Sequence, residues 1–407
     1  MRKLNPTIVY AECFWMYWGV YCVFSSFGSV FLLDKGYTNT EIGTLLAIGN
    51  IVSVIVQPIS ANIADRSKKL NAISIMFIMT IIIAFFEAFC LVFDKKSMVL
   101  FVAYVMVVAL HGAMQSLLNS VESMFLHNGV RADYGIARGM GSLGFSLTSI
   151  GLGPVIATAG AASLPIVAEV YLVLSLLGLF ILLRMYKKSY TEKDHAIGFD
   201  EVDGAGEKHE ITMKEFVARH KLFLLITIGI FLMFYHHQVI NYYMLQVFQN
   251  VGGDSDDMGT YYAIMTILEM PALLGFTTLK KKFSSRFLLK VGTIGLFLRG
   301  VMMFFAHSPL AVQLSLIVNP IGFPLFLAAI VQYISEIMDE GEAVRGQSLY
   351  VMMVTASAVI ASFTGGVILD ELGASKMLLI CLVLCIVGAT IILPLIDKAA
   401  VECPKED

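Results

Sequence analysis

Between Val121 and Phe145 the chain reads VESMFLHNGVRADYGIARGMGSLGF, and two of its ionisable residues stand where their neighbours are apolar. Glu122 lies inside the end of one apolar run and Arg138 inside the start of the next, with a polar turn from His127 to Asp133 between them. An ionised side chain in a membrane-spanning segment costs about 2.5–3.5 kcal/mol on insertion scales, so it faces a partner or a watery cavity. Two antiparallel helices joined at that turn bring the two charges to similar depth. The pair then has two possible uses. It can lock the helices by mutual neutralisation, or it can hold a polar ligand, since a guanidinium presents a fork of donors and a carboxylate accepts.

The second half of the chain carries a matching set. Glu269 sits in TILEMP and Arg299 in FLRG, both interior to apolar runs, and another run holds FYHHQ, with His236 and His237, followed by Asn241. Neighbouring residues on a helix point about 100° apart, so the two histidines cannot both face one cavity squarely. Imidazole titrates near neutral pH, which makes either a candidate proton carrier. Glu12, Glu87 and Glu169 read as snorkelling or packing groups, and Lys290 and Glu336 as interfacial anchors. Trp15, Tyr17, Trp18 and Tyr21, with Phe145, Tyr242 and Tyr243, form aromatic groups. A few of these could stack on a sugar ring, which has an apolar face and a polar rim.

The elements that must position these residues follow from composition. The 407 residues are 57% hydrophobic and 14% charged, with mean hydropathy +0.79, whereas soluble proteins carry about 25% charged residues. The chain is expected to be an all-α integral membrane protein. A span needs about 20 apolar residues, and twelve candidates lie near 8–33, 41–63, 71–93, 98–126, 135–160, 164–186, 220–248, 258–279, 287–306, 309–337, 347–369 and 376–396. One long polar segment interrupts them, giving an N-terminal six-helix bundle over 1–186, a central linker over 187–219 and a C-terminal six-helix bundle over 220–407. Alternate loops carry Arg66, Lys68 and Lys69, then Arg131, Arg184 with Lys187 and Lys188, Lys280 to Lys282 with Arg286, and Arg345. The positive-inside rule places these loops, the linker and both termini in the cytoplasm.

Other function classes are excluded on the same grounds. A net charge of −3 gives no basic field for nucleic acid. The six cysteines are scattered without CxxC spacing and read as small core residues, so neither metal ligation nor disulfides are expected. The chain has no G-x-x-x-x-G-K-[ST] loop, H-E-x-x-H helix or G-x-S-x-G elbow. We expect no enzyme activity and no cofactor, and uphill transport without an ATPase needs an ion gradient.

Asp65-Arg66-Ser67-Lys68-Lys69 follows the second span, and Lys280-Lys281-Lys282-Phe283-Ser284-Ser285-Arg286 follows the eighth. The first is close to the G-x-x-x-D-R-x-G-R-R loop of the major facilitator superfamily, with Ala61 and Ser67 in place of its glycines. Phe31-Leu32-Leu33, Gly43, Gln57-Pro58 and Asp65 follow in order, then Val121-Glu122 and Ala137-Arg138-x-x-Gly141-x-x-Gly144-Phe145. On these residues the chain resembles the oligosaccharide:proton symporter, lactose permease-like branch of that superfamily, over nearly all its length.

The resemblance implies two parallel six-helix halves with a midplane site between them, rocking about that site with the Asp65–Arg66 loop steadying one state. It implies sugar-hydroxyl contacts at Glu122 and Arg138, a stacking platform at Phe145 in place of tryptophan, and sugar recognition at Glu269, with Ala272 replacing a helper asparagine. Arg299 falls by the family's proton site, His236 near an acidic position, Asn319 at a substrate-linked histidine, and Gly322 where the proton-carrying glutamate stands. Trp18 and Asn241 complete the expected substrate contacts, and His236, His237, Arg299 and Glu269 the expected coupling group. The expected function is proton-coupled uptake of a sugar or small oligosaccharide by a monomer in a bacterial inner membrane. A drug or nucleoside transporter of the same fold and an uncoupled sugar facilitator are the alternatives.

Overall fold

The computed structural model of the chain describes residues 5–67, 70–194, 215–216 and 219–402. Lys68 and Lys69, linker residues 195–214 and 217–218, and Cys403 lie outside the described residues, as does the side chain of Asp65. All regular structure among the described residues is helical.

The helices, in order, are α1 Pro6–Tyr21, α2 Gly28–Asp34, α3 Asn39–Arg66, α4 Ala72–Val92, α5 Met98–His127, α6 Tyr134–Ala159, α7 Leu164–Asp194, α8 Lys221–Tyr242, α9 Met244–Asn250, α10 Ser255–Lys282, α11 Ser285–Phe304, α12 Pro309–Leu314, α13 Phe323–Ile337, α14 Glu340–Leu372 and α15 Ala374–Glu402. Their starts are set by short polar side chains that accept from amides with no intrahelical partner. Asn5 caps α1 with Pro6 in its first turn. Thr38 and Glu41 form a reciprocal capping box on α3, and Ser97 caps α5. The 30 residues of α5 reach about 45 Å at 1.5 Å per residue, more than a bilayer's hydrocarbon core.

Among the described residues eleven helical segments are long and apolar enough to cross a membrane, and the bent pair Pro6–Ser26 and Gly28–Asp34, taken as one span, makes twelve. The lipid-facing surface can be traced on α3, where Ile48, Ile51, Ile55 and Ile59 are exposed at helical spacing.

The chain divides into two compact units. The first gathers the helices from α1 to α7 together with Ser255–Thr266 at the start of α10, and the second gathers α8, α9 and the chain from Ile267 onward. This differs from a cut at 220 because the first turns of α10 pack with the first unit. The polar linker also starts later than hydropathy suggests, since α7 continues to Asp194. In the first unit α1 packs on α6 and α7, α5 on α3 and α4, and α4 on α7. In the second, α8 packs on α14 and α15, and α11 on α13 and α15. Four of these pairings repeat in the same span order, which supports the internal repeat read from the loops.

Three spans are broken. The first passes through a π-helical segment, Cys22–Ser26, and bends by 47°. The seventh breaks at Tyr243 between α8 and α9, and the tenth runs from α12 through a 3-10 segment, Ser315–Ile321, to Gly322 before α13. Irregular backbone at membrane depth is tolerated only where protein or water satisfies it, and π segments occur often at functional sites.

Candidate functional site

The turn between Glu122 and Arg138 is built by local chemistry. Asn128 ends α5, and Gly129, at φ 72°, takes the left-handed position that follows a helix. Its amide and that of Val130 return to the Leu126 and Phe125 carbonyls at 2.9 and 3.0 Å. Asp133 then caps α6, accepting from the Ile136 amide at 3.0 Å while Arg131 holds its other oxygen at 2.9 Å.

Glu122 and Arg138 lie on the two helices that this turn joins, and each makes a contact of its own. Glu122 accepts from the Tyr134 amide at 3.2 Å, in the first turn of α6, where the helix dipole favours a negative charge. Arg138 donates to Ser142 Oγ at 2.9 Å, and its guanidinium carbon lies 4.4 Å from the centre of the Trp18 ring. That distance is well within cation–π range, worth about 0.5–2 kcal/mol.

The glycines of the Arg138-x-x-Gly141-x-x-Gly144 pattern explain how the indole gets there. A Cβ on Gly141 would stand 2.5 Å from Trp18 Cδ1, and one on Gly144 would stand 2.7 Å from Trp15 Cγ. These two positions let α1 close onto α6 with both tryptophans in the seam. Trp18 also meets Phe145 and Tyr21 edge to face, at 6.4 and 5.1 Å. Phe145 is buried and contacts Tyr262 at 6.0 Å as well, so it is the floor of an aromatic group rather than an open platform. The Trp18 indole N–H is buried with no acceptor in reach. The indole donor that Phe145 lacks is therefore supplied to the same group from α1.

One member of this cluster was missed in the sequence. His111 of α5 is buried and stacks on Tyr17, with centroids 4.2 Å apart and planes 13° apart. Its signal was a lone histidine in the apolar run VVALHGAM, with nothing to show what it faced.

In the second unit the expected residues do come together. Arg299 Nη1 donates to Asn319 Oδ1 at 3.3 Å and lies 3.5 Å from His237 Nδ1. Asn319 Nδ2 lies 3.4 Å from Glu269 Oε1. The side-chain amide of Asn241 lies 3.0 Å from His237 Nε2, and His237 stacks on Phe323 at 4.3 Å with planes 8° apart. Arg299 and Asn319 are 3% and 0% exposed, whereas Glu269 is half-buried. Arginine can only donate, so His237 Nδ1 accepts and its proton sits on Nε2. Asn241 must then turn its carbonyl oxygen toward that proton, an amide orientation set by the hydrogen-bond pattern. His236 points elsewhere, with Nε2 against Gly300, where a Cβ would stand 2.9 Å away. Its Nδ1 is buried without a partner.

Apart from Arg299, the polar residues of this cluster sit near a disturbed helix. Asn319 lies in the 3-10 segment, His237 and Asn241 just before the break at Tyr243, and Glu269 two residues before Pro271, inside α10. A Cβ on Gly295 would stand 2.5 Å from the Ile321 oxygen and 2.7 Å from Gly322 Cα. Here α11 touches the tenth span backbone to backbone, and a Cβ on Gly322 itself would stand 3.2 Å from the Gly295 carbonyl carbon and the Leu296 nitrogen, a tight contact.

Glu87 and Arg66 lie outside both clusters. Glu87 does not snorkel: it is 0% exposed, and the group it meets is the carboxyl of Glu169. Arg66 ends α3 exposed to solvent. No group of three or more metal-ligating side chains occurs among the described residues.

Comparison with known proteins agrees with the fold. The structure is similar to that of a mutant form of the nucleoside transporter NupG, with TM-score 0.76 and 14% identity over 96% of this chain and 100% of the other. It is similar to a POT family transporter in complex with thioalcohol conjugated peptide, with TM-score 0.70 and 14% identity over 97% and 96% of the two chains. A bacterial homolog of the human lysosomal transporter Spinster gives TM-score 0.67 and 13% identity over 99% and 98%. At these identities the likeness shows the fold alone. No curated protein sequence matches the chain. The sequence profile of the MFS_1 like family matches residues 7–387, and the chain, a multi-pass helical transporter by fold and family, belongs to that family and to the major facilitator superfamily.

Proposed function

We propose that the chain is a secondary transporter that takes up a sugar or small oligosaccharide together with protons, working by alternating access in the cytoplasmic membrane with both termini inside. The observation that carries this reading is the pairing of Arg138 with Trp18: a half-buried guanidinium 4.4 Å over an indole whose own N–H is buried without an acceptor. Stacked aromatic faces suit the apolar face of a sugar ring, while guanidinium and indole donors suit its hydroxyls. Phe145 and Tyr21 meet the same indole edge to face and back it from behind. In the second unit Glu269 and Asn319 offer an acceptor and an amide, which suits a neutral polyhydroxylated ligand. Glu122, which accepts from a helix-terminal amide, serves by holding the turn that places Arg138. Arg299, His237 and His236 form the coupling group, because a proton arriving at His237 Nδ1 meets the Arg299 guanidinium and displaces it.

The test is uptake into proteoliposomes of labelled mono-, di- and oligosaccharides, nucleosides and lipophilic cations, with and without an inward proton gradient. Gradient-dependent accumulation of a sugar is the expected result. Equilibration indifferent to the gradient would reduce the reading to a facilitator, and uptake of nucleosides or cations with no sugar movement would overturn it.

A further inference from the structure

Glu87 and Glu169 lie outside both clusters, and nothing above uses them. Glu87 is five residues before the end of α4 and Glu169 five residues after the start of α7, and the two helices pack against each other within the first unit. Glu87 is fully buried, and neither of its oxygens has a donor in reach. Glu169 Oε2 is buried without one too. The ionisable group beside Glu87 is the Glu169 carboxyl of the packed helix α7. Two ionised carboxylates are acceptors only and repel each other, so this contact forms when one of them carries a proton that the other accepts.

Among the described residues no lysine, arginine or histidine forms an ion pair with either carboxyl. Lys35, buried to 5% side-chain exposure, lies 3.8 Å from Asp94 and acts on Cys90. Cys90, on the turn of α4 after Glu87, is the thiol nearest the pair in charge coupling. From α5, Tyr104 gives its hydroxyl proton to the Phe24 carbonyl at 2.8 Å, and from the loop before α3 Tyr37 gives its own to the Ser97 carbonyl at 2.8 Å. Glu87 and Glu169 are thus left to each other.

We propose that the Glu87–Glu169 pair is a proton-binding site, with one proton held between a Glu87 oxygen and a Glu169 oxygen and exchanged with water during the transport cycle. Binding adds one proton to the doubly ionised pair to give O–H···O⁻, and release returns it to water. The role in the cycle rests on the proton-coupled reading above, but the binding of the proton does not. An acidic pair with one member fully buried is costly in a membrane segment unless neutralised, and a shared proton supplies that neutralisation. It would also place an exchangeable proton in this chain although position 322 carries glycine and no carboxylate.

The test is infrared spectroscopy of the full chain in liposomes, in H2O and D2O, titrated through neutral pH. The wild type should show a protonated-carboxyl C=O band at neutral pH that shifts in D2O, and both Glu87→Gln and Glu169→Gln should remove or shift it. Both substitutions keep side-chain shape, and gradient-independent substrate exchange by each variant reports that it is folded. Absence of the band in the wild type, its persistence unchanged in both variants, or its loss on adding sodium but not potassium at fixed pH would overturn the site. In transport, Glu87→Gln should lower gradient-driven accumulation at least ten-fold while exchange persists. Undiminished accumulation would overturn the pair's part in the cycle. If no sugar is a substrate, the infrared result still decides whether the proton is bound.

Discussion

Each unit holds one arginine at membrane depth, and the two are held in opposite ways. Arg138 rests on an aromatic face and one hydroxyl and stays half-buried. Arg299 is 3% exposed and set among an asparagine and a histidine, each positioned by a further polar group or ring. An indole face costs little to leave, because water or a ligand hydroxyl can replace a weak cation–π contact. A buried network is different: removing one member leaves the others unsatisfied in a low-dielectric interior. The comparison teaches that, on the proposed function, the same residue type serves as a ligand hand in one unit and as a structural and coupling post in the other.

The largest expected effect is therefore at Arg299. Arg299→Ala should lower both transport and thermal stability, by about 3–5 kcal/mol if it behaves as a broken buried charge network, read as a fall in melting temperature in detergent. Arg138→Ala should lower uptake at least a hundredfold, about 2.7 kcal/mol, while insertion and melting stay near wild type. If Arg138→Ala unfolds the protein and Arg299→Ala leaves it intact, the assignment of the two arginines is reversed. Third in size, Gly295→Ala should destabilise the second unit by about 1–3 kcal/mol, the usual cost of overpacking, because the new methyl meets backbone. A melting temperature equal to wild type would mean that α11 and the tenth span part easily. Trp18→Phe keeps the stacking face and deletes the indole N–H, so substrate affinity should fall about ten-fold, or 1.4 kcal/mol, with melting unchanged. Unaltered affinity would remove that N–H from the ligand's partners.

The smallest effect concerns the turn that carries Arg138. The Ile136 amide first, and then the Arg131 guanidinium, hold the Asp133 carboxyl below the usual carboxylate range. A carboxyl depressed in the folded state stabilises it above the unfolded pKa of about 3.9 and loses that contribution as pH falls through the folded value. Asp133→Asn keeps a good cap and should flatten the acid limb of the melting curve slightly, with no change at neutral pH. An identical acid limb would show that the charge of Asp133 contributes nothing.

Much of this architecture was legible in the sequence because lipid demands long apolar helices, and apolar length is readable without knowing any contact. The twelve runs, the central polar segment and the buried charges at Arg299 and Glu269 came from that demand. The partners did not, because they depend on interhelical register. Glu122 and Arg138 looked like each other's partner from depth alone, but Gly141 and Gly144 draw Trp18 to the arginine from a helix more than a hundred residues upstream. The break at Gly322 was hidden for a similar reason. Its glycine was visible, but the glycine it touches, Gly295, lies on another span. Hydropathy likewise marked Glu87 and Glu169 separately as isolated acids and could not show that they face each other.

The close seam between α1 and α6 has one more consequence. The chain contains two tryptophans, Trp15 and Trp18, and both lie in that seam, against Gly144 and Gly141. Its intrinsic fluorescence therefore originates within a single turn of one helix, beside a guanidinium that perturbs the indole of Trp18. A ligand that draws Arg138 off the ring would change the colour and yield of that emission, so the unlabelled protein carries its own optical gauge of occupancy.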